Sequence, residues 1–297
     1  MSIPEHRKAI DKLDARIVRL LNERTRHALA IGGFKLAAGE EIYAPHRERA
    51  VFDRVCRLNT GPITDSQLRA IYREIMSSAL ALEKKLTIAY PGPEAALAHQ
   101  AAVQKFGSSL KYTAQKTIAD VFAEVGNNRA NYGVVPVENS DEGAVSRTLD
   151  RFVESELKII SQIILPAWQC LMVPPGGSRS NIRKVLEQDI RNDGADVARF
   201  LVLGRQSSPP TGDDRTSLMV SVADKTGAAQ PALAVFHRHK IRVMRIVSRP
   251  GRRKASEHLV FIDCNGHVRD RKVASAIAQL EREGCRVKVL GSYPNSD

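Results

Sequence analysis

The amino-acid sequence predicts a multidomain α + α/β protein, and three observations carry that expectation. Residues 1–85 hold apolar positions at helical spacing throughout. Beyond Leu86 short apolar runs alternate with helical segments, as in an α/β lobe, and residues 216–297 spell strand, helix, strand, strand, helix, strand. With 297 residues and 43% hydrophobic composition there is material for more than one core. The expected division is a helical domain over 1–85, an α/β lobe over 86–204, a linker over 205–215 and a last domain over 216–297.

The first helix, about residues 4–36, organises the N-terminal domain. Ile10, Leu13, Ile17, Leu20, Leu21, Ala28 and Ile31 recur at three-and-four spacing, which predicts an amphipathic helix with one buried face. On a straight helix Arg24 and Lys35 share a face roughly 16 Å apart, whereas Arg7 lies about 42 Å from Lys35. A single chain does not bring all three cations onto one small anion; an antiparallel partner helix would deliver Arg7 from its other end. The plain alternative is a solvated basic face. After Gly39 come EEIYAPHRERAVFDRV and ITDSQLRAIYREIMSSALALEKK, both helical by period and separated by the stop Asn59-Thr60-Gly61-Pro62.

Three helices with Arg7, Arg24, Lys35, Arg47, Glu48 and Glu83 spaced along them resemble the all-helical chorismate mutase module. The resemblance implies a homodimer paired through the first helix, with no metal and no cofactor. It places Arg7 of the partner chain, Arg24 and Arg47 on the two carboxylates of chorismate, Lys35 and Glu83 on its ether oxygen, and Glu48 on its ring hydroxyl. The reaction is a pericyclic rearrangement, so catalysis means clamping a flexible dianion in its reactive chair and stabilising the charge that grows on the ether oxygen. Glu83 contributes only as a protonated donor, which requires a raised pKa. Ala44 and Ala79 stand at substrate-facing positions where the family favours an aspartate and a small hydroxyl or thiol residue. Losing a hydroxyl that bonds a charged group costs at most about 1.5 to 3 kcal/mol, so a weakened mutase is expected before a dead one.

In the lobe, residues 86–90 read as a strand, PGPEAALAHQAAVQKFG as a turn into a helix, TIADVFAEV as a helix and NYGVVPVENS as a buried strand. A mostly parallel sheet is expected, with ligands at the carboxyl ends of its strands beside Pro91-Gly92-Pro93 and Glu138-Asn139-Ser140. The run YGVVPVENSDEGAVSRTLDRFVESELKII looks like prephenate dehydratase, whose cleft lies between two lobes of a periplasmic-binding-protein type. With the helical module in front, the layout is that of the bifunctional chorismate mutase/prephenate dehydratase family. The resemblance makes Glu138, Asn139, Ser140, Arg199 and Phe200 the dehydratase site residues. It also exposes departures. The family's Gly-Pro-x-Gly-Thr-Phe-Ser loop is here Gly92-Pro93-Glu94-Ala95-Ala96-Leu97-Ala98, its Thr-Arg-Phe motif is Ala198-Arg199-Phe200, and most of the second lobe is skipped between Val185 and Leu186. Alanine has no proton to give a departing hydroxyl. The dehydratase unit is therefore expected to be a partial lobe without turnover.

GRQSSPPTGDDRT reads as a polar linker, and the element order after it is that of the ferredoxin-like split βαβ unit. Its closing LGSYP resembles the ACT regulatory domain of the same family. That implies a phenylalanine effector site at Gly227, Ala228 and the turn Ser248-Arg249-Pro250, weakened because Val247 replaces a carboxylate that would hold the ammonium group.

The remaining signals exclude more than they assign. A formal charge of +12 is spread along the chain, with 5% aromatic residues and one Trp, so no stacking platform for nucleic acid stands out; steering of dianionic chorismate and prephenate explains part of the balance. No window approaches eighteen apolar residues and no leader pattern precedes the first helix, so a cytoplasmic protein without membrane contact is expected. Cys56, Cys170, Cys264 and Cys285 lack metal-ligand spacing and read as buried or half-buried thiols. His237 and His239 read as a solvated helix end, and Arg252-Arg253-Lys254 as an exposed hairpin turn. The expected function is a dimeric chorismate mutase in phenylalanine biosynthesis. The alternative is a catalytically weak chain that senses an amino acid and regulates another enzyme.

Overall fold

The structure, a computed structural model, describes residues 2–139, 143–167, 196–223, 229–250 and 257–295. Helix α1 (Ile3–Ala37) begins where the Glu5 carboxylate accepts the Ser2 backbone N–H at 2.6 Å and ends at Gly39, whose φ of +68° reverses the chain. α2 (Pro45–Leu58) follows, started by proline; its N-cap residue Ala44 offers no side-chain acceptor. α3 (Asp65–Glu83) opens on a capping box in which Thr64 and Gln67 satisfy each other's backbone N–H groups.

The stripe expected to be buried on α1 is not covered by its own chain: Ile10 is 54% exposed, Leu13 51% and Ile17 51%. The cause is length. With 35 residues α1 runs about 52 Å, whereas the 19 residues of α3 reach only about 28 Å along it.

The lobe contains β1 (Thr87–Pro91), α4 (Leu97–Phe106), β2 (Lys111–Gln115), α5 (Ile118–Gly126), β3 (Tyr132–Asn139), β4 (Gly143–Ala144), α6 (Ser146–Glu154), β5 (Lys158–Ala167) and β6 (Asp196–Gly204). Its sheet runs β2-β1-β3-β6-β5, with β4 paired to β3. The sheet is mixed rather than mostly parallel: β1 pairs in parallel with β2 and β3, but β6 inserts antiparallel between β3 and β5. β3 and β5, joined through α6, run in one direction as a crossover requires. The late strand β6 fills the gap between them from the opposite direction.

The last unit comprises β7 (Asp214–Ala223), α7 (Ala229–Arg238), β8 (Val243–Pro250), β9 (Glu257–Asn265), α8 (Arg271–Arg282) and β10 (Arg286–Pro294), its sheet antiparallel in the order β10-β7-β9-β8. One face packs under α7 and α8, with Val235, Phe236, Val273 and Leu280 buried against Leu218, Val220 and Ile262. The other face joins the lobe, where Met219, Phe261 and Tyr293 share a core with Leu149, Phe152 and Ile159. At Gly291 the two backbones come so close that a Cβ would collide with the main chain of Ile159.

Two expectations change here. The polar linker expected over 205–215 ends at 213, where β7 begins, and it is anchored: Ser208 is buried, its hydroxyl bonds Ile160 O at 3.1 Å, and His267 Nε2 lies 3.0 Å from its carbonyl. Val247 to Pro250 form no turn but the end of edge strand β8, paired through Pro250 with His258. Their exposed and half-buried side chains alternate as a strand dictates, and Val247 packs into the core between the sheets.

Candidate active site

The ends of α1, α2 and α3 surround a cavity of about 260 Å³. Arg24 and Lys35 enter it from α1, Arg47 and Glu48 from α2, and Glu83 from α3. Ala44 and Ala79 complete the wall. Arg7 stays outside, exposed near the far end of α1.

Each group is held by something specific. Lys35 Nζ donates to Ile42 O at 2.9 Å, which ties it to the loop between α1 and α2. The Glu83 carboxyl is pushed above its ordinary range by burial, which outweighs the opposing pull of Lys35 and Arg24. Gly32 makes its place on α1: a Cβ there would lie 2.7 Å from Glu83 Oε2 and 3.0 Å from its Cγ, whereas one on Gly33 would meet nothing. Glu48 Oε2 accepts two bonds, from Tyr43 OH at 3.0 Å and from Lys105 Nζ at 2.6 Å, the lysine coming from α4 of the lobe. The Tyr43 phenol is held protonated by burial and by Glu48.

Gly32, Tyr43 and Lys105 were not singled out from the sequence. Gly32 carried a signal, since a glycine inside a helix costs about 1 kcal/mol against alanine and marks a close approach when it persists. Nothing in the spacing marked Lys105, 57 residues from Glu48.

A second cavity of about 480 Å³ shares Lys35, Ala44 and Arg47 and extends toward the lobe past His46, Tyr132 and Arg205. Burial, Lys35 and Arg47 push the His46 imidazole below its ordinary range, so it is neutral there.

The residues expected at a dehydratase cleft are placed differently. Arg199 is buried on β6, its Nη2 2.7 Å from Asp263 and 3.2 Å from Tyr293 OH, and its Nε donates to Gln162 at 3.0 Å. Glu138, at the end of β3, lies 3.4 Å from Arg245 and 3.8 Å from Arg199. Phe200 is buried with Tyr90, Phe106 and Tyr132 in the core beneath α4. Asn139 pairs through its backbone with Ala198, and Ser140 lies outside the described residues. So does the junction of Val185 and Leu186. The altered loop carries strain, because Ala95 adopts a φ of +66°, a conformation that suits glycine.

Of the expected effector residues, Gly227 and Ala228 lie outside the described residues, as do Cys170 and the run 252–254. Ser248 is exposed on β8, while Arg249 reaches α6, donating to Asp150 at 2.9 Å and to Ser146 O at 2.7 Å. Among the described residues no helix is long and apolar enough to cross a membrane.

Comparison with known proteins matches two segments of the chain. A family model described as Chorismate mutase type II matches residues 6–84, and one described as Prephenate dehydratase matches residues 88–189. A bifunctional chorismate mutase/prephenate dehydratase from Aquifex aeolicus is 37% identical, covering 99% of this chain and 98% of the relative. That alignment runs over 356 residues against the 297 of this chain, so the relative carries residues with no counterpart here. Among solved structures, a prephenate dehydratase from Streptococcus mutans is 27% identical with a TM-score of 0.56, covering 70% of this chain and 97% of its own. One from Arthrobacter aurescens in complex with L-Phe is 23% identical with a TM-score of 0.58, covering 71% and 90%, a likeness of fold alone.

Proposed function

The chain belongs to the bifunctional chorismate mutase/prephenate dehydratase family, and from that premise we propose that its helical domain rearranges chorismate to prephenate while its lobe no longer dehydrates prephenate. The observation that carries the first part is the convergence of Arg24, Lys35, Arg47, Glu48 and Glu83 on one cavity, with the Glu83 carboxyl biased toward its protonated form. Lys35 and neutral Glu83 donate to the ether oxygen as its bond breaks, Arg24 and Arg47 hold the carboxylates, and Glu48 accepts the ring hydroxyl. The site is completed by Arg7 of a second copy. The exposed apolar stripe of α1 is what such a partner would cover, since stripes of this length are rare on monomers.

Three features support a silent lobe: alanine at position 198 in place of a proton donor, the strained loop at Ala95, and an Arg199 already paired with Asp263 inside the protein. The fold of the last unit, with its βαββαβ order and two helices on one face, supports an ACT domain, with phenylalanine as the ligand the family resemblance implies. Arg249, turned to α6, would have to exchange that contact for the effector, which weakens binding. The setting is cytoplasmic phenylalanine biosynthesis.

The test is an assay of purified protein for loss of chorismate and formation of phenylpyruvate. The reading expects chorismate loss that Lys35→Ala lowers at least about 10²-fold, and no phenylpyruvate above the acid-catalysed background. Equal chorismate loss in both proteins would favour the amino-acid-sensing regulator instead.

A further inference from the structure

Glu48 owes part of its orientation to the neighbouring lobe: of the two groups on its carboxylate, Tyr43 belongs to the loop between α1 and α2 and Lys105 to α4. The Glu48 side chain is 11% exposed, and the described bonds to its carboxylate both fall on Oε2. Oε1 is left for a substrate hydroxyl. Lys105 stands at the end of α4, and the next residue, Phe106, packs on Tyr43 with ring centroids 4.8 Å apart. Tyr43 is thereby seated in the lobe's core, where it also meets Tyr132 at 5.4 Å, and Lys105 is anchored beside that core through Phe106. The residues just after Lys105 brace the helix that carries Glu83. Ser108 Oγ donates to Glu74 at 2.6 Å, Ser109 N donates to Ser77 Oγ at 3.1 Å, and Gly107, at φ +76°, lies where a Cβ would strike Ser77.

We infer that Lys105 is a positioning residue of the mutase site, supplied by the dehydratase-like lobe, which fixes Glu48 so that one carboxylate oxygen faces the substrate's ring hydroxyl. This rests on the role of Glu48 proposed above. It gives the lobe a function that survives loss of its own chemistry: the end of α4 holds α2 through Lys105 and α3 through residues 107–109.

The assay is chorismate kinetics of the full chain carrying Lys105→Met, Lys105→Arg, Glu48→Gln and the double variant Glu48→Gln/Lys105→Met, with thermal unfolding of each. Lys105→Met should lower kcat/KM by about ten- to a hundredfold, the kinetic equivalent of one lost hydrogen bond to a charged group. The loss should fall mainly on KM, because the hydroxyl contact is made in substrate and transition state alike. Lys105→Arg should restore most of it. In the double variant the lysine substitution should cost almost nothing further, since the carboxylate it orients is gone. A Lys105→Met enzyme with unchanged KM and kcat beside a crippled Glu48→Gln enzyme would overturn the inference, as would equal costs of Lys105→Met with and without Glu48. Full activity of Glu48→Gln would instead remove the reading of Glu48 on which the inference stands.

Discussion

Replacing Glu83 by glutamine changes how the enzyme responds to pH more than how fast it works at its best. Burial raises the Glu83 pKa against the opposing pull of Lys35 and Arg24, so the folded protein keeps this carboxyl protonated to a higher pH than a free one. Its donor form is lost as pH rises through that raised value. A hydrogen bond to the charge growing on the ether oxygen is worth about 1.5 to 3 kcal/mol, or about 10- to 150-fold in kcat/KM. The wild-type rate should fall by that order from mildly acidic to alkaline pH. Glu83→Gln keeps an N–H donor at the same place at every pH, so its profile should be nearly flat and cross above the wild type on the alkaline side. His46, whose pKa burial lowers, titrates alike in both proteins and drops out of the comparison. Folding stability follows the same sign: a carboxyl whose folded pKa is raised contributes most at acid pH and loses that contribution as pH rises. Glu83→Gln should therefore unfold at a higher temperature than wild type at neutral pH, with the gap closing in acid. The measurement is chorismate absorbance across pH at fixed ionic strength, beside thermal unfolding. Parallel profiles in the two proteins, or a glutamine variant slow at every pH, would refute the donor role.

Gly32→Ala should cut kcat/KM by at least about tenfold while leaving the fold intact, because its Cβ displaces only the flexible end of Glu83. Gly33→Ala, with open space around it, should leave the kinetics alone and stabilise the helix by about 0.5 to 1 kcal/mol; denaturant unfolding and chorismate kinetics separate the two. Ala95→Gly should stabilise the protein by about 1 kcal/mol in denaturant unfolding, because it relieves a left-handed alanine, and should restore no phenylpyruvate formation.

Much of this architecture is legible in the sequence wherever a local rule decides the outcome. Gly39 breaks the first helix, Asn59-Thr60-Gly61-Pro62 stops the second, and alternation of strand and helix marks the lobe, although residues 40–44, expected to be helical, form a loop up to Pro45. That Arg24 and Lys35 reach one cavity is legible from the helix face they share, whereas Glu48 and Glu83, which line it too, are expected there only through the family resemblance. What the spacing does not carry is long-range. The apolar stripe of α1 looks like a buried face, yet whether this chain or another covers it is invisible in its period. β6 enters the sheet between two earlier strands, which alternation of elements does not reveal. The serine-rich stretch before β7 reads as a tether until Ser208 is seen bonded to Ile160. Arg199 reads as a cleft residue, while two of its partners, Asp263 and Tyr293, come from the last unit.

The shared site is tested most directly by mixing two inactive chains. Arg7→Ala removes the cation that one copy lends, and Lys35→Ala disables the pocket that receives it. Each alone should lack activity in the chorismate assay. After subunit exchange between equal amounts, half of the dimers pair one of each, and every such dimer holds one intact site, so about a quarter of wild-type activity should return. Exchange demonstrated by mass or fluorescence, with no activity regained, would contradict the account.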